Sequence, residues 1–400
     1  MQTRRAFLRT TGGLAGLLYS GLWPRLAYAD PIGGIQNRIN NFCQNTLNNF
    51  GANVGVIVGI VTPDNAESGG QFLTAGQDWL TNPYGKHLDL NEHTLFEIGS
   101  ISKVFTSGIH YMLHGNYDGT LGSHLRGHVR LSDAVAAISL KDLATYRSGF
   151  AADNQASVYP ARVWANLENL FRFMADFTPP YQPGSCYAYS NMGWSLFGMA
   201  SIGIDGTDTE RYVRDYNARL REYCRAFDAP RTRLFDPDLK PHLPRGFQRD
   251  GFRSLPPRNL YYPTSPPGYP SGGIVSTGAD MMRFLLYSMG HLPGGLTDPA
   301  LALQQTETFQ ANRCSNADDE GWATSYGWFH GKYRTPQGEM IVLNKNGGVP
   351  GFTSWMGFNR WQGSGAPASH GLFVLSNSHG ATPIGVNAMR LLLSEQSQRS

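Results

Sequence analysis

The sequence predicts an α+β fold in which one central antiparallel sheet is completed by strands from both ends of the chain and a mostly helical lobe is inserted between them. Three observations predict it. Strand-like runs of β-branched and aromatic residues lie near both ends. The middle of the chain carries apolar residues at helical spacing. The 400-residue length and 41% hydrophobic composition are those of an ordinary globular protein, with enough apolar surface for one large or two modest cores. The sheet lobe is expected over about 30–98 and 322–400, and the helical lobe over about 99–321, as parts of one domain covering 30–400.

The elements follow in order. Residues 1–29 read as a processing segment and are excluded from the fold. Thr3, Arg4, Arg5, Ala6, Phe7, Leu8 and Arg9 precede a mild apolar run from Thr10 to Leu22, then Ala27, Tyr28 and Ala29, the pattern of a twin-arginine export signal with a small-residue cleavage site. A periplasmic or secreted location is the expectation. No later apolar stretch approaches the roughly 20 residues a membrane span requires. Ile35 to Phe50 has helical spacing, Val54 to Val61 is a β-branched run bounded by Gly and Pro, and Gln71 to Trp79 can pair back on it. Ser100 to His114 reads as a helix, as do Val163 to Ala175, with Val163, Leu167, Leu170, Phe171 and Met174 on one face, and Thr209 to Phe227. Between Asp236 and Gly273 prolines and glycines are too dense for regular elements, so a long loop is expected, with Tyr261, Tyr262 and Tyr269 anchoring it rather than lining a cleft. Ser276 or Thr277 then caps a helix over Met281 to Met289. Strands are expected at Tyr326 to Tyr333, Met340 to Lys345, Phe352 to Phe358 and Gly371 to Ser376, and a last helix at Ile384 to Leu393.

The charge excludes some functions. A formal net charge of +3, with Lys and Arg scattered, gives no electrostatic footprint for nucleic acid. The expected partner is a small-molecule or peptide substrate with a carbonyl centre, and the expected state is a monomer with no cofactor. Cys43, Cys186, Cys224 and Cys314 are widely spaced with no CxxC pair, and sequence cannot choose a pairing, so no disulfide is predicted.

Three short motifs carry chemistry. In FEIGSISKVF, Ser100 and Lys103 form SxxK at the start of a helix, where a three-residue step places both side chains on one face. A serine hydroxyl is a poor nucleophile until a base takes its proton, and a lysine with a usual pKa of ~10.4 becomes that base only where burial or positive charge favours its neutral form. The helix amino terminus favours the negative charge that develops. In YAYSNMGWSLFG, Tyr189, Ser190 and Asn191 form YxN before an apolar helix; a phenol near a cation can shuttle a proton, and the Asn191 amide can donate to a substrate carbonyl and hold the lysine. In LNKNGGVPGF, Lys345 ends a strand and can bind a substrate carboxylate, while Gly347 and Gly348 let substrate backbone approach. Backbone N–H groups of Gly348 and Ser100 could form an oxyanion hole. Each motif alone has a bland alternative: a chance Ser and Lys, a packed tyrosine, an ordinary hairpin.

Their order and broad separations resemble the SxxK, YxN and KxG triad of the serine β-lactamase-related family, nearest to class C β-lactamases and the similar DD-peptidases and esterases. ISLKDLATYRSGF, PGSCYAYSN and PSGGIVSTGADMMRF are similar to connecting stretches of that family, so the resemblance covers nearly all of residues 30–400. It implies the β-lactamase and penicillin-binding-protein transpeptidase-like fold, acylation of Ser100 with Lys103 and Tyr189 handling protons, and substrate binding by Asn191, Lys345, Gly347 and Gly348. The absence of an SDN or ExxLN segment favours the class C type over class A. β-Lactam hydrolysis is the first expectation; a D-alanyl-D-alanine carboxypeptidase or carboxylesterase is the alternative, and a penicillin-binding sensor without turnover a third. Class C enzymes usually carry Thr or Ser after the KxG lysine, whereas this chain has Asn346, which puts efficient β-lactam hydrolysis in doubt. His110/His114 and His124/His128 have a four-residue spacing that can bind metal, but no HExxH glutamate accompanies them, and no metal site is predicted. No GxSxG elbow surrounds Ser100.

Overall fold

The computed structural model describes residues 30–125, 127–153, 158–248, 265–306, 309–310, 312–314, 323–336, 338–361 and 365–394. Residues 1–29, where an export signal is expected, and Tyr261 and Tyr262 lie outside the described residues. An eight-stranded, wholly antiparallel sheet forms the base of the molecule. Its strands are β1 (Val56–Val61), β2 (Gln71–Ala75), β8 (Phe309–Gln310), β9 (Ala323–Thr324), β10 (Phe329–Thr335), β11 (Gly338–Val349), β12 (Phe352–Asn359) and β13 (Gly371–Ser376), in the order β2-β1-β13-β12-β11-β10-β9-β8. Strands from the two chain ends pair as its second and third strands, where Val56 meets Ser376 and Val61 meets Gly371. Two smaller sheets accompany it: β3 (Trp79–Thr81) with β4 (His87–Asp89), and β5 (Leu95–Glu97), β6 (Arg233–Leu234) and β7 (Ile274–Thr277) with β7 in the middle.

The apolar run of β1 is continuous because both faces of the sheet are covered. Val56, Val58 and Ile60 pack in one core with Ile35 and Ile39 of helix α1 (Pro31–Phe50) and Met389 and Leu392 of a carboxy-terminal helix (Ala381–Ser394). Ile57 and Val61 point the other way, into the core that contains Met281, Phe284 and Leu285 of a helix spanning Gly278–Met289. Gly59 interrupts the run because a Cβ there would meet the Phe373 ring at 2.1 Å. The Asn191–Ile202 helix is apolar on every side and buried throughout its length but its last residue, as a helix crossing a core must be.

Several boundaries differ from expectation. The Ser100 helix begins as a 3₁₀ turn at Gly99–Ile101 before the α-helix Ser102–His114. The Gln71 to Trp79 strand breaks after Ala75, and Trp79 joins the small β3–β4 sheet. The helix expected from Val163 splits into a 3₁₀ turn, Ala161–Trp164, and an α-helix, Leu167–Met174, capped by the Asn166 side chain. Thr277, not Ser276, caps the Gly278–Met289 helix by accepting from the Asp280 N–H. Tyr269 is buried and opens a short helical turn, Tyr269–Gly272, that feeds β7, so it anchors the described end of the long loop.

The expectation of no disulfide is overturned: Cys186 and Cys314 are joined, with Cα atoms 5.2 Å apart. The fold supplies the proximity that sequence could not, by running the two segments side by side; Cys314 N donates to Tyr187 O at 2.9 Å and Tyr187 N to Asn312 O at 2.8 Å. Cys43 and Cys224 are buried thiols, and burial pushes that of Cys43 up to about 12, far from the reactive thiolate form.

Of the four paired histidines His110 alone is buried, and His128 is exposed, 3.1 Å from Asp205 Oδ1. His110 is fully buried, its ring 4.7 Å from that of His114 and 6.2 Å from that of His124, and its Nδ1 lies 3.0 Å from Ser201 Oγ. Among the described residues no group of His, Cys, Asp and Glu is arranged to hold a metal ion. Burial, then the charges His114 and His124 would carry, holds the His110 imidazole down at about 3. In the unfolded chain the same group takes up a proton near ~6.5, so the stability it contributes is complete above that pH and is lost as pH falls towards 3. Urea unfolding between pH 7 and pH 4 is expected to show falling stability, and His110→Gln to remove up to about 1.4 kcal/mol per pH unit of that slope. Equal slopes in the two proteins would refute this assignment. No described helix is long and apolar enough to cross a membrane.

Candidate active site

The candidate nucleophile is delivered by a turn that only a small residue can make. β5 ends at Glu97, Ile98 N donates to Ile274 O at 3.0 Å, and Gly99 adopts φ +50°. A Cβ on Gly99 would lie 2.6 Å from Gly348 N, so glycine is required both for the backbone conformation and for the approach of β11. Ser100 follows, 9% exposed, and one turn later Lys103 enters the interior, fully buried. Its amine lies 3.0 Å from Ser100 Oγ, 2.7 Å from Asn191 Oδ1 and 2.6 Å from Ser271 O. Ser102 Oγ accepts from Ile274 N at 3.1 Å and pins the first helical turn to β7.

Tyr189 and Asn191 are placed by the start of the Asn191–Ile202 helix. Ser190 caps it, accepting from Gly193 N. A buried carboxylate, Asp153, accepts from Asn191 N at 2.6 Å and Met192 N at 3.1 Å, while Asp153 N donates to Tyr189 O at 3.0 Å. The Tyr189 ring stacks on Tyr146 with centroids 5.5 Å apart. Two amines flank that ring: Lys103 Nζ is 4.8 Å from its centroid and Lys345 Nζ 5.0 Å.

β11 closes the site. Lys345 is fully buried; its amine lies 4.7 Å from the Phe329 centroid and donates to Asn346 O and Asn346 Oδ1, both at 2.8 Å. The residue expected to anchor a substrate carboxylate is thus engaged by its own neighbour. Gly347 lies against the backbone before Ser100, where a Cβ would be 2.0 Å from Ile98 O, and Ser354 Oγ donates to that same carbonyl at 2.7 Å. Gly348 is exposed, with open space where its Cβ would stand.

The geometry therefore brings Ser100, Lys103, Tyr189, Asn191, Lys345, Gly347 and Gly348 to one place. Sequence reasoning missed three contributors. The Ser271 carbonyl leaves no side-chain pattern, Asp153 sits in irregular chain remote from the helix it caps, and Ser354 looks like any strand serine.

A serine and a lysine joined on one helical turn, beside a YxN turn and a KxG strand, make a site of the SxxK type. The chain belongs to the β-lactamase family, whose model matches residues 73–395. A β-lactamase of Escherichia coli strain K12 is 29% identical over 150 residues, covering 34% of this chain and 35% of the relative. One from Yersinia enterocolitica is 25% identical over 245 residues, covering 56% of this chain and 54% of the relative. The matches thus span about a third and about half of these curated relatives' length. Among solved structures, a class C β-lactamase superimposes with a TM-score of 0.66 at 18% identity, covering 92% of this chain and 99% of that one. A D-alanine carboxypeptidase from Burkholderia cenocepacia gives 0.63 at 18% identity, covering 90% and 99%. At these identities the likeness establishes the class C fold.

Proposed function

We propose that the protein is an acyl-transfer hydrolase that forms an acyl-enzyme on Ser100. The observation that carries this reading is the Lys103 amine, 3.0 Å from Ser100 Oγ, with two further contacts to pure acceptors, Asn191 Oδ1 and Ser271 O. A neutral amine has two N–H bonds and one lone pair. Once one N–H proton is lost, two N–H bonds can serve the carbonyl oxygens while the lone pair, 3.0 Å from Ser100 Oγ, takes the serine proton.

In this mechanism the Ser100 oxygen attacks the substrate carbonyl as its proton passes to Lys103. The backbone N–H groups of Ser100 and Gly348 receive the developing oxyanion. Tyr189, held between the two amines, relays the proton to the leaving group, and water then attacks the ester by the reverse path. Asn191 holds both the substrate carbonyl and Lys103.

The names of the relatives suggest β-lactams or D-alanyl peptides as substrates. A carboxylesterase is the second reading, favoured by the engagement of Lys345 by Asn346. Nitrocefin, a D-alanyl-D-alanine peptide and p-nitrophenyl esters, each offered to the enzyme and to Ser100→Ala, distinguish them. Lactam turnover no faster than that control removes the lactamase reading. A persistent penicillin adduct on Ser100 in mass spectrometry, with no drug consumed, would replace hydrolysis by a sensor role.

A further inference from the structure

Resting on the acyl-enzyme reading above, we propose that Asn346 sets the charge preference of this site and that its acyl donors are neutral: carboxylic esters or thioesters with no carboxylate on the leaving group. Side chains alternate along β11. Lys345 and Gly347 are buried, whereas Asn346 is partly exposed and Gly348 exposed. The edge that meets an incoming substrate is therefore an amide and a stretch of backbone, not an ammonium group.

The ammonium is also occupied. Of the three N–H bonds of Lys345, two are matched by Asn346 O and Asn346 Oδ1 at 2.8 Å, and the amine rests against the faces of Tyr189 and Phe329. Donation from Lys345 fixes the amide orientation: the oxygen faces the amine and the nitrogen, in the same plane, is directed elsewhere. A leaving-group carboxylate entering here would lose water and meet a neutral amide, a poor exchange for a full charge. An ester or ether oxygen loses far less on desolvation.

The reaction balances without any further reactant. The Ser100 oxygen bonds to the acyl carbon, the bond from that carbon to the leaving oxygen or sulfur breaks, and the serine proton reaches the leaving alkoxide or thiolate through Lys103 and Tyr189. Water then cleaves the acyl-enzyme, giving the carboxylic acid and restoring the serine hydroxyl.

A matched pair of substrates tests the proposal: the thioester of benzoylglycine with thioglycolate, and the same thioester with thioglycolate methyl ester. The acyl group and the scissile bond are identical, and thiol release is read with a chromogenic disulfide. The enzyme is expected to prefer the methyl ester at least ~10-fold in kcat/KM, a difference of about 1.4 kcal/mol. Asn346→Thr and Asn346→Ser are expected to reduce that ratio at least ~10-fold by improving use of the carboxylate. Labelling of Ser100 by a fluorophosphonate, with thermal melting, reports whether each variant retains an assembled site. Equal use of the two thioesters by the unmodified enzyme, an unchanged ratio in a folded Asn346 variant, or turnover of neither by an enzyme that labels at Ser100 overturns the proposal. Failure of Ser100 itself to label overturns the acyl-enzyme reading on which it rests.

Discussion

Lys103→Met is expected to leave no more activity than Ser100→Ala, and the double variant no less than either. Both single changes should lower kcat on the order of 10⁴-fold or more, because nucleophile and base act as one unit and removing either removes the path. Methionine matches the length of the lysine stem but offers no proton acceptor for Ser100 and no donor for Asn191 Oδ1 or Ser271 O, which lie 2.7 Å and 2.6 Å from the amine. These two oxygens, deprived of their partner in a buried site, also predict a folding cost of about 1–3 kcal/mol. The variants should therefore differ in melting temperature while agreeing in residual rate. Rates for the two single variants differing by a factor of a hundred would show that another group deprotonates Ser100.

The second large effect is expected at a residue with no side chain. Gly347→Ala places a methyl group 2.0 Å from Ile98 O and 2.3 Å from Ser354 Oγ. Neither can yield freely, since Ser354 Oγ is bonded to that same carbonyl and Ile98 N is tied to Ile274 O. The strand must move outward, taking Gly348 N away from Ser100. A displacement of about 1 Å at an oxyanion donor is expected to cost roughly 10²-fold in kcat/KM, and the overpacking about 1–3 kcal/mol in stability. Gly348→Ala is the control: its Cβ meets nothing within 4 Å, so its stability should change by less than about 0.5 kcal/mol. Equal melting temperatures for the two alanine variants would refute the steric account.

The parts of this molecule that sequence discloses are those with local rules. Ser100 and Lys103 are three residues apart on one turn, so their contact follows from helix geometry. β1 is legible because six consecutive buried residues leave a continuous run. β13 is legible for the same reason, with expected and observed limits agreeing at Gly371–Ser376. β6, β8 and β9 are two residues each, too short for any periodicity, and are stabilised only by the neighbours they pair with. The 3₁₀ turn at Gly99–Ile101 follows from the positive φ of Gly99, which a glycine permits but does not announce. In the site, backbone groups and remote partners stayed hidden: the Ser271 carbonyl, the Asp153 carboxylate, and the turning of Asn346 onto Lys345. Each depends on tertiary proximity, and the departure from Thr or Ser at position 346 was visible while its consequence for Lys345 was not.

The link between Cys186 and Cys314 reaches beyond the two residues it joins. It encloses a sequence separation of 128 residues, and closing so long a loop in the denatured chain is worth about 5 kcal/mol on chain-entropy grounds. One end of the enclosed loop lies three residues before Tyr189, the phenol proposed to relay the proton. A reductant should thus lower the melting temperature and loosen Tyr189 first, so that catalytic competence tracks the thiol balance of the surroundings even though no cysteine takes part in the proposed reaction.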